Sequence, residues 1–305
     1  MPSEISRREF VRLAAVAAGS AAAPSILLEP RPLAAAASAG LGRVAAHTPV
    51  KPVGLQLYSV RNLLAKDFDG TLAQVHAAGY SVVEAAGFYD RAAAEFRKSV
   101  DAAGLRCVSA HYTLALLESQ LDPLLTYAHA LGLEYVVCSS SDGMHRDPAA
   151  KGERTLDDWH WIAGEFNRIG GIVKAAGMTF GVHNHTPEFA VAGGVLVYDE
   201  LLKHTDPGLV VFEMDCGWVY AAGHDPVDYL SKSPDRFPLL HVKDMVRAAG
   251  GKLQMPVLGK GSIDYGPILR AATGLKYSFV EQEEYDIDPI QELREDADYL
   301  RRVQA

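Results

Sequence analysis

The sequence predicts a single-domain α/β protein, a (β/α)8 TIM barrel, and three observations predict it. From about Pro52 onward, short apolar runs alternate with longer runs of helical period, the order that builds a parallel sheet. Eight such units are present, the number that closes the sheet; a barrel of this kind takes about 250 residues of the 305 available. No Gly-x-Gly-x-x-Gly follows the first apolar run, so an open dinucleotide-binding sheet lacks its signature.

The expected strands occupy residues 53–57, 81–83, 106–110, 135–138, 178–182, 210–214, 238–240 and 277–280. Each is followed by a polar residue and then a helical segment. The clearest of these are 68–78, 92–103, 122–131, 156–176 and 288–303. Gly79, Gly104, Gly132 and Gly177 stand between a helix and the next strand, where a left-handed residue closes a helix. Gly259-Lys260-Gly261 is expected to shape the loop before the seventh helix rather than to bind phosphate.

The N-terminal residues read as an address. Ser6-Arg7-Arg8-Glu9-Phe10-Val11 places twin arginines before a large apolar residue and a weakly hydrophobic, Ala-rich run, a Tat-type export signal. Gly19, Ser20 and Pro24 interrupt the run, and a membrane-spanning helix needs ~20 strongly apolar residues, so no stable insertion is expected after cleavage. Ala37-Ser38-Ala39 offers the cleavage site. The expected organisation is a signal peptide at 1–39, a tether at 40–51 and the barrel at 52–305. The mature protein is then periplasmic or secreted, carried out already folded, in a compartment where phosphorylated sugars are scarce.

A net charge of −9 provides no basic footprint for nucleic acid. Cys107, Cys138 and Cys216 are too few and too widely spaced for a disulfide scaffold or a CxxC metal site. All three lie in apolar runs and read as buried small hydrophobes. The oligomeric state is left open.

Active sites of such barrels lie at the C-terminal ends of the strands, so the residues that end each apolar run carry the functional signal. They are Gln56, Tyr58 and Arg61; Glu84; His111; Ser139 to Asp142; His183-Asn184-His185-Thr186-Pro187-Glu188; Glu213 and Asp215; His241, Lys243 and Asp244; and Glu281 with Glu283. Carboxylates and imidazoles converging on one rim suit one divalent metal ion such as Mn²⁺, Mg²⁺, Co²⁺ or Zn²⁺. Asp215, His241 and Glu281 end successive strands at matching positions and are the leading ligands. The fourth comes from strand five, with His183 favoured by position and Glu188 the alternative.

Several segments resemble one family closely: Leu55-Gln56-Leu57-Tyr58-Ser59-Val60-Arg61, Gly181-Val182-His183-Asn184-His185, Phe212-Glu213-Met214-Asp215, His241-Val242-Lys243-Asp244-Met245, Val257-x-Gly259-x-Gly261-x-Ile263-Asp264 and Val280-Glu281-Gln282. They are similar to the sugar phosphate isomerase/epimerase group of the xylose-isomerase-like barrels, over about residues 52–303. The resemblance implies a metal bound by Glu, Asp, His and Glu from strands five to eight. Asp215, His241 and Glu281 match the last three. His183 stands where ketose 3-epimerases of the group have Glu, which removes one half of their carboxylate pair. Trp218 stands where related chains often read His, and an aromatic there suits stacking on a sugar face.

The chemistry these residues point to is removal of a proton next to a carbonyl, with metal stabilising the enediolate. The candidate bases are His111, His185 and Glu281. Lys243 is placed to stabilise the oxyanion, and Gln56, Arg61, Glu84 and Trp218 to hold substrate. The substrate class is an unphosphorylated sugar or keto-sugar, because export and the lack of a phosphate-cradling loop both argue against a phosphate ester. Isomerisation or epimerisation is the first reading, and 1,2-elimination of the aglycone from a 3-keto-glycoside the second.

Overall fold

The computed structural model describes residues 52–304, so the expected leader and tether lie outside the described residues. Eight parallel strands close into a barrel: β1 Val53–Gln56, β2 Val82–Ala85, β3 Arg106–Thr113, β4 Tyr135–Ser140, β5 Thr179–His183, β6 Val210–Asp215, β7 Leu239–Val242 and β8 Tyr277–Val280. Each pairs with its neighbours in sequence, and β8 returns to β1. The outer ring consists of α1 Phe68–Ala77, α2 Ala93–Ala102, α3 Leu114–Leu131, α4 Leu156–Ala175, α5 Val197–His204, α6 Pro226–Lys232, α7 Tyr265–Ala271 and α8 Pro289–Gln304. Two short antiparallel ribbons, Val191–Ala192 with Val195–Leu196 and Val246–Arg247 with Leu253–Gln254, decorate the loops after β5 and β7.

The strands match the expected runs, and β2 extends to include Glu84. The third helix differs. It starts at Leu114, capped by the Thr113 hydroxyl accepting from the Leu116 N–H, well before the expected residue 122. Gln120 leaves helical geometry at φ −143°. Pro123 lacks the N–H that would bond back one turn, and its ring crowds the carbonyl four residues earlier. The sequence pattern therefore registers only the half of α3 beyond the break. Gly132 ends this helix at φ 82° as expected, donating to the carbonyls of Ala128 and His129.

Side-chain parity along each strand separates two cores. One parity faces the helices, with Leu55, Val83, Phe180, Phe212, Leu240 and Val280 in the main apolar cluster. The other faces the barrel axis, where Val82, Val108, Tyr135, Val137, Leu239 and Phe279 form a separate plug. Gly54 shares this inner parity; a Cβ there would sit 2.6 Å from the Phe279 ring, so the glycine makes room for the plug. Continuing each strand past the plug in steps of two reaches the polar rim.

A bulge adjusts one strand. The β2–β3 register shifts between Val83 and Glu84, from Val83 opposite Cys107 to Glu84 opposite Ser109. Val108 is the extra residue. Without it, Ser109 and His111 would face outward; with it, both share the inward parity of Glu84. The three cysteines are buried and free, as the sequence suggests.

Candidate active site

The rim is built by inward residues two apart on strands that reach the same height. Glu213 and Asp215 come from β6, His241 and Lys243 from the end of β7, Glu281 and Glu283 from the end of β8. His183 ends β5, His111 comes from β3, Gln56 ends β1, and Glu84 is the last but one residue of β2.

Glu84 is the deepest charge. Its Oε1 accepts from Gln56 Nε2 at 2.7 Å and meets His241 Nε2 at 2.7 Å and His111 Nε2 at 2.9 Å, while Oε2 takes the Ser109 hydroxyl. Burial would raise its pKa, but His111 and His241 hold it below the usual carboxylate range. Gln56 is committed on both sides, since its Oε1 accepts from the Tyr58 N–H. Both residues are fully buried, and they brace the histidines from below.

Glu213 sits among three imidazoles. Its Oε2 lies 2.6 Å from His111 Nε2, 3.1 Å from His183 Nδ1 and 3.2 Å from His241 Nε2, and its Oε1 is buried with no hydrogen-bond partner. Burial and the nearby Glu84 push its pKa up to about 7. His111 is raised to about 9, because Glu84 and Glu213 together outweigh its burial. Its Nε2 is shared between Glu84 and Glu213. His183 is shifted the other way by burial and by the neighbouring His241, His185 and His111.

The upper tier centres on Asp215. Its Oδ1 accepts from the Trp218 N–H and caps the short helix Cys216–Ala221. Its Oδ2 is buried without a hydrogen-bond partner, 4.0 Å from His183 Nε2, 3.9 Å from His241 Nδ1 and 3.3 Å from Lys243 Nζ. His241 Nδ1 lies 3.1 Å from Glu281 Oε2, and Lys243 Nζ lies 2.9 Å from that oxygen and 2.7 Å from Glu283 Oε1. Burial opposes the charge on Lys243, yet Asp215, Glu281 and Glu283 raise its pKa well above normal. Glu281 is held low by Lys243 and His241 against its own burial. The ammonium also stands 5.0 Å from the centre of the Trp218 ring, whose indole N–H is buried without a partner.

These residues fit a divalent cation. Asp215, His241 and Glu281 can present one ligand atom each, all within 4.8 Å of one another, and His183 Nε2 faces the same orphaned oxygen. Four buried carboxylates, Glu84, Glu213, Asp215 and Glu281, confront one buried ammonium, Lys243. Buried charge left unbalanced is costly, so protons on the imidazoles or a cation must complete the balance. His111, His183, Glu213 and His241 form a second group of potential ligand atoms on the Nε2 side of His241.

Two expected residues are not drawn into the cluster. Glu188 accepts from the His185 N–H at 2.8 Å, closing its own turn, and lines a small enclosed space with Cys138, Trp159 and Phe166. Arg61 lies over the Tyr58 ring at 4.0 Å and donates to the Tyr58 carbonyl. His185 does belong to the rim: its ring lies 4.7 Å from that of His183 and 5.8 Å from that of Trp218, and makes no hydrogen bond among the described residues. Glu213, which the sequence places at the end of the sixth strand without a role, is a full member of the cluster. Its parity with Asp215, two residues on along β6, is the signal that assigns it to the same inward face.

Residues 72–303 match the model of the xylose isomerase-like TIM barrel family. An inosose dehydratase of Geobacillus kaustophilus is 25% identical over 239 residues, covering 69% of this chain and 77% of that protein. A sugar phosphate isomerase/epimerase from Parabacteroides distasonis superposes with a TM-score of 0.70 at 28% identity, covering 85% of this chain and 96% of the other. A xylose isomerase-like barrel from Mycobacterium smegmatis in complex with magnesium shares the fold at 16% identity and a TM-score of 0.61, covering 83% and 96%. The closed eight-stranded barrel and the family match over most of the chain lead to one conclusion: this protein belongs to the xylose isomerase-like TIM barrel family.

Proposed function

We propose that the protein is a metal-dependent enzyme that removes the proton next to the carbonyl of an unphosphorylated keto-sugar and then expels a substituent from the neighbouring carbon. The observation that carries this reading is the asymmetry of the rim. By the resemblance, His183 stands where one half of a carboxylate pair would be, and a cationic donor, Lys243, stands 2.9 Å from Glu281. Epimerisation calls for proton-transfer groups on both faces of one carbon, whereas elimination calls for a base at one carbon and a donor at the next oxygen. Relatives named as inosose dehydratases favour the elimination.

His183, Asp215, His241 and Glu281 would hold the ion. A divalent cation there would supply Lewis acidity to a carbonyl and its adjacent hydroxyl. The chain's own groups do the rest. His185, the imidazole with an uncommitted ring, takes the carbon-bound proton. Lys243 donates to the oxygen that gains charge, fixed in place by Asp215, Glu281 and Glu283. Trp218 presents its ring to the sugar. Glu84 and Glu213 keep the imidazole stack in register from below. The twin-arginine leader, which we propose exports the protein, supports a substrate without phosphate.

A second reading, isomerisation or epimerisation on the same site, is favoured by the similarity to the Parabacteroides distasonis structure. Proton NMR in D₂O separates the two. Enzyme loaded with Mn²⁺ or Co²⁺ for metal saturation, then exchanged to Mg²⁺ or Zn²⁺ for spectra, is mixed with 3-keto-glucosides and a panel of free ketoses. Release of the aglycone with an unsaturated keto-sugar is the expected result. Deuterium entering a sugar without release would instead establish the isomerase reading.

A further inference from the structure

We propose that the outer wall of the barrel carries a second metal site, built by His160, Glu200 and His204 and selective for a borderline transition ion such as Zn²⁺, Cu²⁺ or Ni²⁺. His160 lies on α4, and Glu200 and His204 on α5. Glu200 and His204 are four residues apart, so they share one helix face, and that face meets the first turns of α4. His160 Nε2 lies 2.8 Å from Glu200 Oε2, and His204 Nε2 lies 3.0 Å from the same oxygen. The two rings are 4.2 Å apart, and the three ligand atoms lie within 4.8 Å of one another.

Two imidazole nitrogens aimed at one carboxylate oxygen form a converging donor set. A tetrahedral ion with bonds of ~2 Å separates its ligand atoms by ~3.3 Å, so the observed spacings need to open by only a few tenths of an ångström. Two imidazoles and one carboxylate suit zinc, copper or nickel rather than magnesium or manganese, which distinguishes this site from the oxygen-richer rim. The side chains are 34%, 12% and 39% exposed for His160, Glu200 and His204, so an ion can enter and water can complete its coordination. The frame is rigid. Asn167 on α4 donates to the His204 carbonyl and accepts from the Asp206 N–H, fixing the end of α5. Lys203 holds the other oxygen of Glu200 at 2.9 Å, leaving Oε2 for the ion. The site would clamp α4, which leads into β5, to α5, which lies in the crossover from β5 to β6.

The test removes two rim ligands first to weaken the rim, and the His160 and His204 variants then separate the outer site from the rim residues that remain. In an Asp215→Ala, His241→Ala chain, Zn²⁺ binding is measured by equilibrium dialysis, and Co²⁺ by its visible absorption, where a four-coordinate site absorbs intensely. One equivalent of Zn²⁺ and an intense Co²⁺ band are expected. Adding His160→Gln and His204→Gln should weaken Zn²⁺ at least tenfold and abolish the band. In the otherwise wild-type protein the same pair should remove the Zn²⁺-dependent rise in Tm that comes from the outer site while leaving turnover unchanged. Equal Zn²⁺ binding and equal spectra with and without His160 and His204 would overturn the proposal.

Discussion

The two oxygens of Asp215 divide two tasks that a sequence reader sees as rivals. A carboxylate at the end of a strand is as readily a helix cap as a ligand, and here Oδ1 is the cap while Oδ2 is buried, without a hydrogen bond among the described residues, beside His183, His241 and Lys243. Asp215→Ala should therefore abolish bound metal and turnover together, with a further loss of about 1 kcal/mol from the missing cap; His241→Ala should abolish both as well. Metal analysis, turnover and circular dichroism on each variant check this, and full metal with full turnover in either would refute the assigned site. Lys243 makes a sharper case. Its ammonium occupies the space between two prospective ligands, Asp215 and Glu281, so Lys243→Met should raise the affinity for divalent cations while lowering turnover by about 10²-fold or more. A metal titration combined with kcat decides it, since a lysine that only supported the fold would lose both. At this scale Asp215, His241 and Glu281 stand out in the sequence because each directly follows an apolar run, and Lys243 because it lies two residues beyond His241 on the same face. The sequence did not reveal that Gln56 and Glu84 lie beneath the histidines, because depth below a rim depends on strand stagger, which no residue type encodes.

Elements were legible wherever a single period governed them and hidden where a local irregularity intervened. The eight strands and most helices stand where apolar runs place them, but α3 begins eight residues early because its first half is broken from its second at Gln120. The bulge at Val108 left no trace in composition, yet it decides which side of β3 carries His111. Packing between elements obeys equally local rules. Along α4, Asn167, Gly170 and Lys174 form one stripe against the segment that leads into β6: Asn167 bonds His204 and Asp206, and Lys174 donates to the Gly208 carbonyl. Gly170 allows the approach, since a Cβ there would lie 2.5 Å from the Leu209 carbonyl oxygen. Backbone on the far side cannot yield cheaply, so Gly170→Ala should destabilise the protein by about 1–3 kcal/mol and lower Tm by several degrees. Metal content should stay unchanged. A thermal melt no lower than wild type would mean that the α4–β6 contact is looser than its spacing indicates.

Across the whole molecule, the closed strand order was legible because eight repeats of one unit admit few other arrangements, whereas the pairing of buried acids far apart in sequence was not. Asp296 on α8 is such an acid. Its Oδ1 accepts from the Leu258 N–H at 2.7 Å, and its Oδ2 is buried with no hydrogen-bond partner. It helps to anchor the 257–263 loop, which Asp244 holds from the other side through the N–H groups of Gly259, Gly261 and Ile263. Burial, with Glu292, Glu295 and Asp244 nearby, pushes the Asp296 carboxyl up to about 7 from an ordinary value near 3.8, although its bond from Leu258 opposes the shift. Between those values the folded chain holds a proton that the unfolded chain has released, so this group makes stability fall as pH rises from about 4 to 7. The full effect at pH 8 amounts to about 4 kcal/mol, at about 1.4 kcal/mol for each pH unit crossed. Asp296→Asn keeps an acceptor for Leu258 and removes the titration. Urea unfolding of both proteins in excess chelator, from pH 4.5 to 8, should show the variant losing less stability with rising pH and overtaking the wild type near the alkaline end. Parallel curves would mean that Asp296 ionises normally, and that the 257–263 loop admits water to its free oxygen.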